Sequence, residues 1–431
     1  MCHQLIRYCG FIFFFLFFQI SGWAQTAQQD TLRELMRRID ILAEEIEKSK
    51  LGEVAERTYE SRFGLGPAAS QVYQLKKAGV SLAGYGEVTY QNFAKETDAD
   101  QPSGKIDEID YLRHVVYVGF KFNDRILFNS EIEFEHASTG RRGSVSVEFG
   151  YVDAQISSAL AARAGMVLVP VGIINEFHEP PTFYGSLRPE TESAIIPATW
   201  RTNGFGVVGS LKSGIGYRLY LIEGLNATGF SASGIRGGRQ SGSQSLAEDM
   251  ALAGRVDYTG LAGINLGASF YTGNSGQGLK NAAGQEIGGR VTLWAVHGIF
   301  ARRGLELRGL LAQSTIGDVD SLNRVLKFAG SNTIGKQQTG FYLTAAYDIL
   351  PLFAKGKISA LLPFVQYEKL NSQSEVPAGF SANAANERTN LTYGLAFKPH
   401  PNVAFKLDYL NRRNEAKTAV DQFNVAVNYL F

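Results

Sequence analysis

Cysteine is almost missing from this 431-residue chain: only Cys2 and Cys9 occur, both ahead of residue 24. Removal of the leader described below would leave no thiol, so neither a disulfide framework nor a cysteine-based zinc site is available. Proline is scarce at 12 residues, and no other segment reaches the roughly 18 consecutive apolar residues that a membrane-spanning helix needs. An excess of either charge is also lacking. With 42 basic and 41 acidic side chains, net +1, the electrostatic footprint of a nucleic-acid binder is absent. A hydrophobic content of 45%, with 12% aromatic residues, excludes a disordered or collagenous chain.

What is present begins with a leader. Arg7, the apolar run Phe11 to Phe18 and the small-x-small site Gly22-Trp23-Ala24 read as a secretory signal over residues 1–24. Residues 25–60 are rich in Glu, Arg, Lys and Leu, and Leu32, Leu35, Ile39, Leu42 and Ile46 recur at spacings of three or four. That pattern predicts a short coiled-coil helix, or one amphipathic helix packed on its own domain. Residues 61–79, with Gly64, Gly66 and Pro67, read as a linker.

From Val80 to Phe431 the apolar pattern has period two. It predicts about 16 strands whose connections alternate between tight turns, such as Asn123-Asp124 and Arg302-Arg303, and long polar loops such as 94–109, 170–202 and 224–249. Short turns on one rim and long loops on the other are the layout of an all-β, transmembrane antiparallel barrel over residues 80–431. In the last strand Phe423, Val425, Val427, Tyr429 and Phe431 share one face and Gln422, Asn424, Ala426 and Asn428 the other. In the third, Phe128, Ile132 and Phe134 oppose Asn129, Glu131, Glu133 and Glu135. A dry core could not hold so many charges, so the polar face is expected to line water and the apolar face to meet outer-membrane lipid. A soluble sandwich is the competing architecture, but so many strands in one meander is large for it.

A closed sheet of this size leaves a lumen that side chains cannot fill. Loop 170–202 is apolar and Pro-rich, which predicts that it folds into the lumen and narrows it. Arg188, Glu190, Glu192 and Arg201 become constriction candidates, unless they tie the loop to the wall. Side-chain parity adds Arg113, Lys121, Arg218, Arg255 and Arg308 on the inner face, against Glu131, Glu133, Glu135, Glu148 and Asp257. A turn centred on Asp124 places Glu135 opposite Arg113, predicting a cross-strand ion pair.

Several runs carry a resemblance: Gly84-Tyr85-Gly86-Glu87, Asn175 to Phe183 (NEFHEPPTF), Arg188-Pro189-Glu190, and Ile196 to Arg201 (IPATWR). Together they resemble the phosphate-selective porin O and P family over residues 80–431, most specifically in the third loop. The resemblance implies a homotrimeric 16-stranded porin of the Gram-negative outer membrane, in some members with an N-terminal coiled coil, here in the periplasm. Phe431 resembles the aromatic end by which such barrels are recognised for assembly. The arginine ladder and constriction lysines of the phosphate-specific members have no residue-by-residue match in this sequence.

The same sequence offers little for chemistry other than passage. Gly204 to Gly209 fits G-x-G-x-x-G but continues into period-two sequence, so it reads as a Gly-rich strand, not a dinucleotide site. Glu176, His178 and Glu179, or Glu131, Glu133, Glu135 and His136, could hold a cation, yet alternate-residue carboxylates are more often solvated or Arg-paired. His114, His136, His178 and His297 have no recognisable nucleophile beside them. The expectation is a non-enzymatic porin without cofactor or metal, passing small anionic or neutral solutes, phosphate among the candidates. A closed structural or adhesive barrel is the alternative.

Overall fold

The structure, a computed structural model, describes residue 38 and residues 61–137, 143–354 and 359–431. The expected signal sequence and the expected coiled coil lie outside the described residues, apart from Arg38, which is helical and exposed. The strands are β1 (Gly79–Phe93), β2 (Glu108–Lys121), β3 (Ile126–Glu135), β4 (Val145–Ser157), β5 (Leu160–Leu168), β6 (Arg201–Ser210), β7 (Ile215–Glu223) and β8 (Met250–Tyr258). They continue as β9 (Ile264–Gly273), β10 (Val291–Arg302), β11 (Leu305–Ile316), β12 (Gln337–Tyr347), β13 (Ala360–Glu375), β14 (Glu387–His400), β15 (Val403–Asn414) and β16 (Gln422–Leu430). Each pairs antiparallel with its sequence neighbours, and β1 pairs with β16 through Tyr85 opposite Leu430 and Glu87 opposite Asn428. The sheet is therefore a closed barrel with no free edge.

The alternation decides which face meets what. Val80, Leu82, Leu343, Val365, Phe405 and Leu407 point outward and are exposed, forming the apolar band a bilayer would cover. Phe122, Phe353 and Phe397 lie exposed near the short-turn rim, where aromatic rings suit the lipid–water interface. Gly204 to Gly209 lies within β6, and a Cβ at Gly206 would come 2.0 Å from the Leu219 carbonyl oxygen.

The inner face differs from the expected wet surface. Glu131, Glu133, Glu148, Asp153, Arg163, Arg218, Lys406 and Asp408 all face inward and are nearly inaccessible. A continuous apolar cluster, including Tyr85, Phe149, Tyr220, Tyr271, Trp200, Ile195 and Leu65, lies among them. The connection 169–200 between β5 and β6 and residues 61–78 ahead of β1 take up space that sixteen strands leave open, and loop 224–249 joins the same cluster through Leu225, Ala227, Phe230 and Ile235. Arg201, expected in the loop, is the first residue of β6.

Candidate functional site

The connection 169–200 has only two short helical pieces, Pro180–Thr182 and Thr191–Ala194. Its backbone polar groups must find partners elsewhere, and the barrel wall supplies them. Glu192 accepts the Ile173 and Ile174 N–H groups at 2.7 Å each and the Tyr342 hydroxyl at 2.6 Å. Glu368 on β13 accepts the N–H groups of Glu190 at 3.0 Å and Thr191 at 2.6 Å. Lys406 on β15 donates to the carbonyls of Pro180 at 2.7 Å and Gly185 at 2.9 Å, with its ammonium 4.0 Å from the Phe183 ring centre. Asp408 accepts the Ser186 N–H at 2.7 Å. A buried charge survives only when hydrogen-bonded or paired, and here the loop backbone does for the wall charges what water was expected to do.

The residues singled out from sequence divide accordingly. Glu192 is buried and ties the loop to itself and to β12. Glu190 pairs with Arg388 and accepts from Asn390 at 2.9 Å, and Arg201 pairs with Glu148. Arg218 reaches Glu176 at 3.0 Å and Asp257 at 2.6 Å. Arg255 holds Asp257 at 2.8 Å and donates to the Gly172 carbonyl. Arg308 donates to the Thr182 carbonyl at 3.1 Å and pairs with Glu306, while Lys121 donates to the Leu75 carbonyl at 2.9 Å. Arg113 does lie opposite Glu135, but its ion pairs are to Glu87 at 3.2 Å and Glu133 at 3.4 Å. Glu135 accepts instead from the Ser144 hydroxyl. A long side chain reaches diagonally as easily as straight across, so correct register did not fix the partner.

The titratable clusters are spoken for in the same way. His178 is held between the Glu131 carboxylate and the Asn175 carbonyl, both at 3.0 Å. His297 faces Asp257 and Arg255, and His136 contacts Asp110 at 2.6 Å. His114 packs outward among Tyr111, Phe134 and Phe431. Among the described residues no group of three or more His, Cys, Asp or Glu is arranged to hold a metal ion.

Two larger cavities remain, and they share no lining residue. One, of about 310 Å³, lies between the loop and strands β1, β2 and β13 to β15, and includes Glu87, Arg113, Arg188, Glu190, Glu368 and Arg412. Its carboxylates are occupied: Glu87 by Arg113 and Asn428, Glu190 by Arg388 and Asn390, Glu368 by the loop N–H groups and Asn390, Asp408 by Ser186 and Asn424. Arg188 makes only a 3.5 Å contact to the His178 carbonyl, and Nε of Arg412 has no partner. The second cavity, about 710 Å³, opens beside the short turns and is lined by Arg62, Gly64, Tyr73, Ser210, Gly214 and Arg218 among others. Sequence reasoning missed Glu368, Arg388, Lys406, Asp408 and Arg412. The inward parity of Lys406 and Asp408 was readable, but their loop partners, some 220 residues away in the chain, left no local trace.

No protein-family model matches the chain. A protein of Aquifex aeolicus (strain VF5), described as uncharacterized, is 36% identical over 395 residues, covering 89% of this chain and 87% of its own. Among solved structures, OmpF of Salmonella typhi in complex with daunomycin superposes with a TM-score of 0.52 at 13% identity, over 82% of this chain and 98% of that one. The anion-selective porin of Comamonas acidovorans gives 0.51 at 11%, over 82% and 100%. The trimer form of OmpT of Vibrio cholerae gives 0.50 at 11%, over 83% and 100%. At these identities the likeness is one of fold, and the fold is that of a porin-like outer-membrane barrel.

Proposed function

We propose that this chain, which belongs to the same family as the Aquifex aeolicus protein, is a passive outer-membrane porin with a preference for small anions, a reading supported by its porin-like fold. The observation that supports the preference is the asymmetry of the smaller cavity. Every carboxylate oxygen facing it is engaged by a protein donor, whereas Arg188 and Arg412 have guanidinium donors to spare. A cation with donors to spare in a narrow, low-dielectric passage lowers the entry barrier for an anion, and carboxylates whose oxygens are already engaged offer an entering cation fewer free acceptors. The sequence resemblance to phosphate-selective porins points the same way and makes phosphate the first solute to try. A homotrimer, implied by that resemblance, is part of the same reading.

The test is the reversal potential of the refolded protein in a planar bilayer under a KCl gradient. The wild type is expected to reverse on the chloride side, and the Arg188→Ser/Arg412→Ser pair to move toward zero. A wild type that reverses on the potassium side, or a double variant indistinguishable from it, overturns the anion preference. The larger-scale alternative is a closed structural barrel, favoured by the filled lumen. Its signature is a correctly folded protein without conductance in any variant.

A further inference from the structure

We infer that residues 61–75, immediately ahead of β1, form an autoinhibitory plug that closes the pore from the short-turn side, and that opening requires their displacement. The Gly- and Ala-rich composition of this stretch reads as a linker, yet Leu65, Ala68, Ala69, Ser70 and Val72 are almost wholly inaccessible. The small residues are what allow it inside. A Cβ on Gly66 would sit 2.3 Å from the Glu179 carboxyl carbon, and one on Gly119 would sit 2.6 Å from the Val72 side chain.

The contacts show a built seat. The carboxylate of Glu179, from the lumen loop, accepts the N–H groups of Ala68 at 3.1 Å and Ala69 at 2.9 Å. Asn129 donates to the Ala69 carbonyl at 2.9 Å and Lys121 to that of Leu75 at 2.9 Å. The Tyr73 hydroxyl donates to Asp153 at 2.7 Å and accepts from Arg163 at 2.7 Å, with Tyr151 at 2.9 Å. Those wall residues belong to the short-turn halves of β2 to β5, so the segment forms a lower layer beneath the loop. Ser61 and Arg62 line the cavity that opens at the short turns, so this end of the plug is reached from that mouth.

Two features make the seat releasable. Its polar ties are a handful of hydrogen bonds beside the burial of a few mostly small apolar side chains, and the Asp153–Arg163 pair beneath Tyr73 is complete without it, at 2.7 and 2.9 Å. Withdrawal of the segment therefore leaves that wall ion pair closed, while Asn129 and Lys121 give up their backbone acceptors. The Glu179 carboxylate is freed in the same movement, which loosens the loop at the Pro180–Thr182 turn. The plug and the loop are thus coupled closures of one passage, and the inference adds gating to the porin reading on which it rests.

The experiment uses full-length protein with Cys2 and Cys9 changed to Ser. In one variant Gln71→Cys and Ser81→Cys are joined by a short bis-thiosulfonate bridge, reversible by reductant; the Ser81 hydroxyl lies 3.2 Å from the Gln71 side-chain oxygen. In the other, Tyr73→Phe with Glu179→Gln relaxes the seat. Folding is checked by heat-modifiable gel migration, and current is read in planar bilayers. The bridged barrel should pass least current and recover on reduction. The relaxed barrel should pass at least about five times the wild-type mean current, since it loses the three hydrogen bonds of the Tyr73 hydroxyl and weakens the two to Glu179. An open wild type whose current ignores both bridging and relaxation overturns the plug alone. Silence of wild-type, reduced and relaxed barrels, all folded, overturns the plug and the porin reading together.

Discussion

Glu192→Ala should release the lumen loop, raising conductance and exposing the stretch Phe183 to Leu187 to chymotrypsin while the strands stay paired. The carboxylate of Glu192 satisfies two backbone N–H groups and a tyrosine hydroxyl in a place water does not reach. Removing it strands the Ile173 and Ile174 donors, and hydrogen bonds to a charged acceptor contribute about 1.5–3 kcal/mol each. A loss of roughly 3–6 kcal/mol, taken from those bonds together, would fall on the loop, because the partners across the barrel wall pair through their own backbones. Glu192→Gln keeps one acceptor oxygen and should fall between. Unchanged protease resistance and conductance in Glu192→Ala would show that the loop is held by its apolar contacts instead.

Leu407→Arg tests the other face. Leu407 lies on β15 opposite Leu395 and Val425, exposed, one residue from two inward charges, Lys406 and Asp408. An arginine there faces acyl chains, at a cost of about 2–4 kcal/mol near the bilayer midplane. Urea unfolding from lipid vesicles should register it as a lowered midpoint, whereas Leu407→Phe should be neutral. Asp408→Asn, one position along, keeps an acceptor for the Ser186 N–H and should lose about 1 kcal/mol. Equal tolerance of Leu407→Arg and Leu407→Phe would contradict the assignment of faces.

These two substitutions mark where the sequence is readable and where it is not. The strands are legible because one face of each must be apolar for lipid. Phe423, Val425 and Val427 announce β16 without reference to anything distant, and turn lengths order the rims. The interior is a different problem. Lys406 and Asp408 are plainly inward by parity, but parity says only that they need polar surroundings; water and the carbonyls of Pro180 and Gly185 are equivalent answers until the loop is placed. Arg113 shows the same limit on a smaller scale, since register gives Glu135 as its neighbour and reach gives Glu87 and Glu133. Residues 61–78 mislead most directly. Glycine and alanine are what a loose connector contains, and also what a segment needs to pass between Glu179 and the wall.

The span of these ties bears on how the barrel is made. Sealing the seam brings Glu87 to Asn428, 341 positions apart, a junction with a high entropic cost for a bare sheet. The connection 169–200 already touches β3, β8, β11, β12, β13, β14 and β15 through Glu131, Arg255, Arg308, Tyr342, Glu368, Asn390 and Lys406. In the finished barrel it joins early and late strands to one internal scaffold, the contacts a former would need if the wall were wrapped around it. A substitution that empties the interior should therefore slow biogenesis as well as widen the passage.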